Sequence, residues 1–245
     1  MKSSYLGKIM KKKITWQYDE FTQVGKDYNK VEEIAEFEAR HSDFRDLEGE
    51  SKAVLDILGV GRDDILIDFG AGTGIFAMQA ALRCRKVYAV DVSRAMLDYA
   101  KGKAEQAGLT NLEFHHGGFL TFEYGGPAVD FITTTLAFHH LPDFWKGIAL
   151  KRLYGMLKPG GRLYINDAVL EVDGALDNIG ALIDRLEEAG GAEMRGDAED
   201  HFRLEFSTYD WIMDGLLSRS GFEIERKEIT DGVMAIYYCH RPEEG

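Results

Sequence analysis

The chain has only two cysteines, Cys84 and Cys239, in 245 residues. That is too few for a disulfide framework or a zinc cluster, and in their apolar surroundings a buried, inert thiol is the expected state. No apolar run reaches the ~18 residues a membrane-spanning helix needs. The N-terminal lysines are not followed by the roughly 7–15-residue apolar core of a secretory signal. Basic residues are scarce too. The net charge is −13; residues 1–13 hold five lysines and no acid, so the rest carries 24 basic against 42 acidic residues, or −18. Such a body repels a phosphate backbone, which argues against a nucleic-acid partner. Lys11, Lys12 and Lys13 could touch a polyanion, but a solvated terminus is the simpler reading. Repeats and low-complexity segments are missing as well. The expectation is a cytoplasmic protein with no membrane partner. Its length and 45% hydrophobic content suit one full-sized core with small appendages.

What is present centres on Ile65-Leu66-Ile67-Asp68-Phe69-Gly70-Ala71-Gly72-Thr73-Gly74. The apolar run reads as a buried parallel strand closed by an acid, and the glycines open a helix near Ile75. Glycine permits positive φ and close approach of a ligand to the backbone. The free N–H groups of the helix point into the same crevice. This is a nucleotide-type turn at the carboxyl end of a strand. A dinucleotide turn requires Gly-x-Gly-x-x-Gly, whereas here the third glycine comes one residue early and Ile75 takes the last place. A nicotinamide oxidoreductase is therefore the weaker reading. Asp91 lies 17 residues beyond Gly74 and ends a second strand at 86–91. An acid about 20 residues on reaches ribose hydroxyls, with charge-assisted bonds that neutral residues cannot match.

Along the chain, residues 15–58 read as helical, with Tyr28, Val31, Ile34, Ala35 and Phe37 near helical spacing and Gly59 as the stop. A helix at 75–83 is followed by the strand at 86–91 and by a helix at 94–107 capped by Ser93 and Gly108. Strands are expected at 112–115, 129–136 and 162–167, and a helix from Pro142 to about Leu157. Lys158-Pro159-Gly160-Gly161 reads as a tight turn. Residues 171–206 are acidic and glycine-interrupted, with a helix at 176–189. A helix at 207–220 precedes a hairpin of 222–229 and 233–238 around Asp231-Gly232. His115, His116, His139 and His140 form two adjacent pairs without ligand spacing such as His-x-x-x-His, so no metal is expected.

Asp68-x-Gly70-x-Gly72-x-Gly74 resembles the first motif of class I S-adenosylmethionine-dependent methyltransferases. With Asp91, His139-His140-Leu141-Pro142-Asp143 and Leu157-Lys158-Pro159-Gly160-Gly161, the resemblance runs over 63–168. It points to the small-molecule branch that includes the ubiquinone/menaquinone-type enzymes. The resemblance implies a Rossmann-like, doubly wound α/β sheet of seven strands, the last antiparallel. An N-terminal helical lid (1–58) would precede the cofactor-binding domain (59–245, insertion 171–206) in one structural unit. It also implies S-adenosylmethionine as cofactor, held by Asp68, Gly70, Ala71, Gly72, Gly74, Asp91, Val92, Gly118, Phe119 and Leu136. Family members carry an acid for the adenine amino group where this chain has Gly118, which leaves the backbone and ring of Phe119 to hold the base. Trp16, Tyr18, Phe21 and Tyr28, together with His201, Phe202, Arg203 and Phe206, would roof the site. His139 and His140, beside the expected methyl position, are candidate general bases or serve helix capping and packing. No Asn-Pro-Pro-Tyr-like clamp follows the fourth strand, and no cysteine lies near the crevice. The expected activity is in-line methyl transfer to a small molecule, with a non-catalytic cofactor-binding regulator as the alternative. The acceptor and the oligomeric state stay open.

Overall fold

The computed structural model of the chain describes residues 14–22, 24–25 and 46–243. Helix α1 (Leu47–Leu58) starts where Asp46 Oδ1 accepts the Gly49 N–H at 2.9 Å, and it stops at Gly59, whose φ of 74° is left-handed. Strand β1 (Ile65–Phe69) is buried along its whole length. That explains its unbroken apolar run, because a central parallel strand is covered on both faces. The chain then alternates through α2 (Ile75–Ala81), β2 (Lys86–Asp91), α3 (Arg94–Gln106), β3 (Leu112–His116) and β4 (Val129–Thr135). A short 3-10 turn, Phe138–His140, leads into α4 (Asp143–Met156) and β5 (Leu157–Leu170). The remaining elements are α5 (Ala175–Leu204), the two-residue β6 (Thr208–Tyr209), α6 (Asp210–Ser220), β7 (Glu223–Thr230) and β8 (Met234–His240).

The sheet order is β3-β2-β1-β4-β5-β8-β7, with β6 paired to the end of β5. Strand β8 runs antiparallel to both of its neighbours, as expected of the last strand. Its three-residue connection, 231–233, is closed by the Val233 N–H on Thr230 O at 3.2 Å and puts Asp231 at φ 54° and Gly232 at φ 67°, the pair of positive angles a hairpin turn of this hand requires. One face of the sheet packs Leu150, Leu153, Met213 and Leu217 from α4 and α6 against Ile67, Ile132 and Ile165. The other packs Leu55, Leu58, Ala77 and Ala80 from α1 and α2 against Leu66, Val87 and Tyr164. This is the doubly wound arrangement. Among the described residues no helix is long and apolar enough to cross a membrane.

Three local readings change. The expected turn at Lys158-Pro159-Gly160-Gly161 lies inside β5. Gly160 bends there at φ 75°, yet its N–H donates to Arg241 O, and the Arg241 N–H donates to Gly161 O, both at 2.8 Å. Pairing beyond the end of β8 thus carries the strand through residues that favour a turn. Helix α5 extends well past 189 to Leu204, with a break at Gly191 (φ 72°, ψ −164°). Residues 15–22 form turns and irregular backbone rather than helix. The helical reading of 26–45, Tyr28 included, lies outside the described residues.

Candidate functional site

The glycine turn is built from backbone. Gly70, Gly72 and Gly74 all have positive φ, between 52° and 79°. A Cβ on Gly70 would stand 2.2 Å from the Cβ of Ala137, and one on Gly74 would stand 2.8 Å from that of Ala100. At Gly72 an added Cβ would meet nothing within 4 Å, so the loop faces open space there. The N–H groups of Gly70 and Ala71 both donate to Val90 O, at 2.8 and 3.1 Å.

Two buried acids bracket the turn. Thr133 Oγ1 donates to Asp68 Oδ1 at 2.8 Å. Burial, helped by the charge of Asp91, raises the Asp68 carboxyl to about 7. Asp91 accepts the Gly72 N–H at one oxygen and the Ser93 N–H at the other, each at 2.8 Å. Its carboxylate therefore ties the glycine loop to the cap of α3, and burial raises its pKa. A carboxylate oxygen has two lone pairs, so each of these can still accept a ligand hydroxyl. Next to Asp91, Val92 contributes its carbonyl to a 2.9 Å contact with His116 Nε2.

Beside Gly118 lies a carboxylate from a distant part of the chain. The carboxylate of Glu20 accepts the Leu120 N–H at 3.1 Å and the Thr121 hydroxyl at 2.6 Å. It lies 2.5 Å from the point where a Gly118 Cβ would sit. Burial raises its pKa above the usual carboxylate value. Phe119 stacks on Phe69 (centroids 5.2 Å, 16°) and is buried, so its ring belongs to the core. Leu136, just past β4, holds a φ of 52° while its N–H donates to Asn166 O at 2.8 Å, and it is 41% exposed. A positive φ is rare for a leucine and marks a constrained position at the strand end.

The carboxyl ends of β4 and β5 hold a second cluster. His139 Nδ1 lies 2.5 Å from Asp167 Oδ1, and His139 Nε2 lies 3.1 Å from Glu205 Oε2. Asp167 also accepts N–H groups from Phe138 (2.6 Å), His139 (3.3 Å) and Ala168 (2.7 Å). The same Glu205 oxygen lies 2.5 Å from His201 Nδ1, and His201 Nε2 meets Ser207 Oγ at 3.0 Å. The His140 ring packs 4.4 Å from that of His139. Burial alone would lower the pKa of His139, but Asp167 and Glu205 outweigh it and raise the ring to about 9. For Asp167, His139 and the backbone donors overcome burial and bring the carboxyl down to about 2. Glu205 is likewise held below its usual value against burial, by His139 and His201. His140 moves the other way, to about 4, through burial and the neighbouring His139.

Other contacts anchor this cluster. The Phe206 N–H donates to His139 O at 2.9 Å. Buried Lys146 donates to Phe206 O (2.5 Å) and Asp143 (3.0 Å), and the Thr208 hydroxyl donates to Asp143 (3.1 Å). Residues 16–21 cross from one half of the edge to the other. Phe21 packs on His116, Glu20 holds 120–121, Tyr18 meets Phe206 edge-on at 6.2 Å, and Trp16 packs on Trp145. Arg203 stays apart, turned to Asp200 and Glu199 on its own helix.

Glu20, Asp167 and Glu205 escaped the sequence reading. Asp167 did carry a signal, as an acid ending a strand beside the one that leads to the histidines. Glu205 carried a weaker one, four residues after His201 on a helix. Glu20 carried none.

Residues 66–161 match a family described as methyltransferase domain. An uncharacterized methyltransferase of Bacillus cereus is 29% identical over 159 residues, which cover 65% of this chain and 69% of the relative. Among solved structures, a SAM-dependent methyltransferase from Aquifex aeolicus superposes with a TM-score of 0.56 at 22% identity, covering 78% of this chain and 89% of that one. Magnesium protoporphyrin IX methyltransferase from Synechocystis, solved with bound SAM, gives 0.55 at 14% identity, covering 90% and 88%. The motif, the strand order with its single antiparallel strand, and these relatives agree: the chain carries a methyltransferase domain over residues 66–161, on the Rossmann-like fold that the solved methyltransferases share.

Proposed function

We propose that the protein transfers a methyl group from S-adenosylmethionine to a small-molecule acceptor in the cytoplasm. The observation that carries the cofactor assignment is the bond from Gly72 N–H to Asp91, which joins an open glycine loop to a buried strand-end acid. Asp68, Gly70, Ala71, Gly72 and Gly74 would hold the methionine side. Asp91 and Val92 would hold the ribose, and the backbone of Gly118 and Phe119, with Leu136, the remaining wall. Bound there, the cofactor supplies a methyl group on a positively charged sulfur. The task of the chain is alignment and exclusion of water, which can contribute ~7–11 kcal/mol of the barrier.

A small acceptor is favoured by residues 16–21 and Phe206, whose aromatic rings meet across the carboxyl edge. A roofed crevice suits a ligand of modest size, and the acidic body disfavours nucleic acid. Where the acceptor loses a proton, His140 is the ring held neutral at pH 7, whereas His139 carries its proton between two carboxylates.

Calorimetry tests the reading. S-adenosylmethionine or its demethylated product should bind with micromolar affinity, and Asp91→Ala should weaken that by about 1–3 kcal/mol. Tighter binding of NAD, or an Asp91→Ala variant of unchanged affinity, would overturn it.

A further inference from the structure

We propose that His139, His140 and Glu205 bind a first-row transition-metal dication such as Zn²⁺. Each residue offers one donor atom, and all three donors lie within 4.8 Å of one another. Bonds of ~2.0–2.2 Å to a shared ion put neighbouring donors roughly 3–3.4 Å apart. His139 Nε2 and Glu205 Oε2 already stand at 3.1 Å, so only modest side-chain rotation brings in His140.

The surroundings favour a cation over plain packing. Asp167 engages His139 Nδ1 and is itself fixed by three backbone N–H groups. A ligating histidine is commonly oriented in this way, with a carboxylate on one nitrogen so that the other faces the metal. The Glu205 side chain is 5% exposed and its Oε2 meets two imidazoles, so one buried oxygen sits where two ring nitrogens converge. His201 orients that carboxylate from the far side.

Two imidazoles and one carboxylate suit zinc or a neighbouring transition metal, whereas all-oxygen sets suit magnesium and calcium. The local spacing of the histidine pairs did not suggest a site, because Glu205 reaches it from the end of another helix. Three protein donors also leave coordination positions open. At the ends of β4 and β5, such positions would take an oxygen or nitrogen atom of a bound small molecule.

The test uses the untagged 245-residue chain, stripped with chelator and titrated with zinc sulfate alone, with bound metal measured after dialysis. It reads metal content and is independent of methyl transfer. One zinc per chain is expected, with affinity falling at least tenfold in His140→Ala and in Glu205→Gln. Asp167→Asn, as a positioning change, should weaken binding about 10–100-fold, and His115→Ala should leave it unchanged. Circular dichroism identifies any variant that fails to fold, and the wild-type stoichiometry stands without the variants. Less than a tenth of an equivalent on the wild-type chain would overturn the proposal by leaving a proton network only. Zinc that persists undiminished in both His140→Ala and Glu205→Gln would overturn it by placing the metal elsewhere.

Discussion

Along the carboxyl edge of the sheet, the half at β1 and β2 comes largely from one stretch of chain, residues 68–93. The half at β4 and β5 draws on His139, Asp167, His201 and Glu205, which reach it from separate elements. The first half is backbone geometry held by two acids, each bonded to neutral groups. The second is a chain of hydrogen-bonded titratable side chains. Burial pushes the carboxyl up in both halves, but only the second half holds a charge that overcomes it. The carboxyl of Asp68 rises to about 7, while Asp167 is kept ionised by its histidine at about 2. A backbone site fails through sterics, and a charge-network site fails when one partner is left alone.

The largest test of that contrast is Asp167→Ala. It strands a buried, protonated His139 beside Glu205 alone, and removing one partner of a buried pair costs about 3–5 kcal/mol. Urea unfolding measures this, and a loss under about 1 kcal/mol would mean that the histidine half does not rest on its charges. Next comes Gly70→Ala, which combines a left-handed residue with a Cβ 2.2 Å from that of Ala137. Its expected cost is about 2–4 kcal/mol. Adding Ala137→Gly should relieve the clash and leave the backbone strain, so that the double variant recovers only part of the loss. Full recovery would show that sterics alone select glycine there.

The smallest effect concerns pH. The folded chain holds a proton on Asp68 up to about pH 7, while the unfolded chain loses it near ~3.9. Between those values the folded state binds more protons, so this group's contribution to stability falls as pH rises through the window. Asp68→Asn keeps an acceptor for Thr133 and removes that dependence. Relative to wild type it should gain about 1–3 kcal/mol between pH 4 and pH 8 in denaturant titrations of the ligand-free chain. Parallel curves for the two proteins would place the ionisation elsewhere.

The same contrast governs how much could be read in advance. The β1–β2 half was legible because its requirements are local: a positive φ selects glycine, and an acid at a strand end has a fixed spacing to the turn. The hairpin at Asp231-Gly232 followed from such rules, and the antiparallel last strand from the family resemblance. Glu20 sits 98 positions before Gly118 in the sequence, and no local pattern signals that its carboxylate will fill that glycine's empty side. Glu205 was hidden because Gly190-Gly191 looked like the end of a helix, whereas the chain bends at Gly191 and resumes helical turns to Leu204. Lys158-Pro159-Gly160-Gly161 has turn composition, and only its partner Arg241, some eighty residues on, holds it in a strand.

Strand β5 borders β4 on one side and β8 on the other, and its register with β8 runs from Arg162 opposite His240 to Ala168 opposite Met234. During synthesis that border stays open until residue 240 has left the ribosome. Until then a long apolar strand in mid-sheet presents a free edge of unpaired N–H and C=O groups, the kind of surface on which chains associate wrongly. A chain cut before Met234 would keep every residue of the glycine turn and the histidine pair, and lose the strand that shields them from other chains.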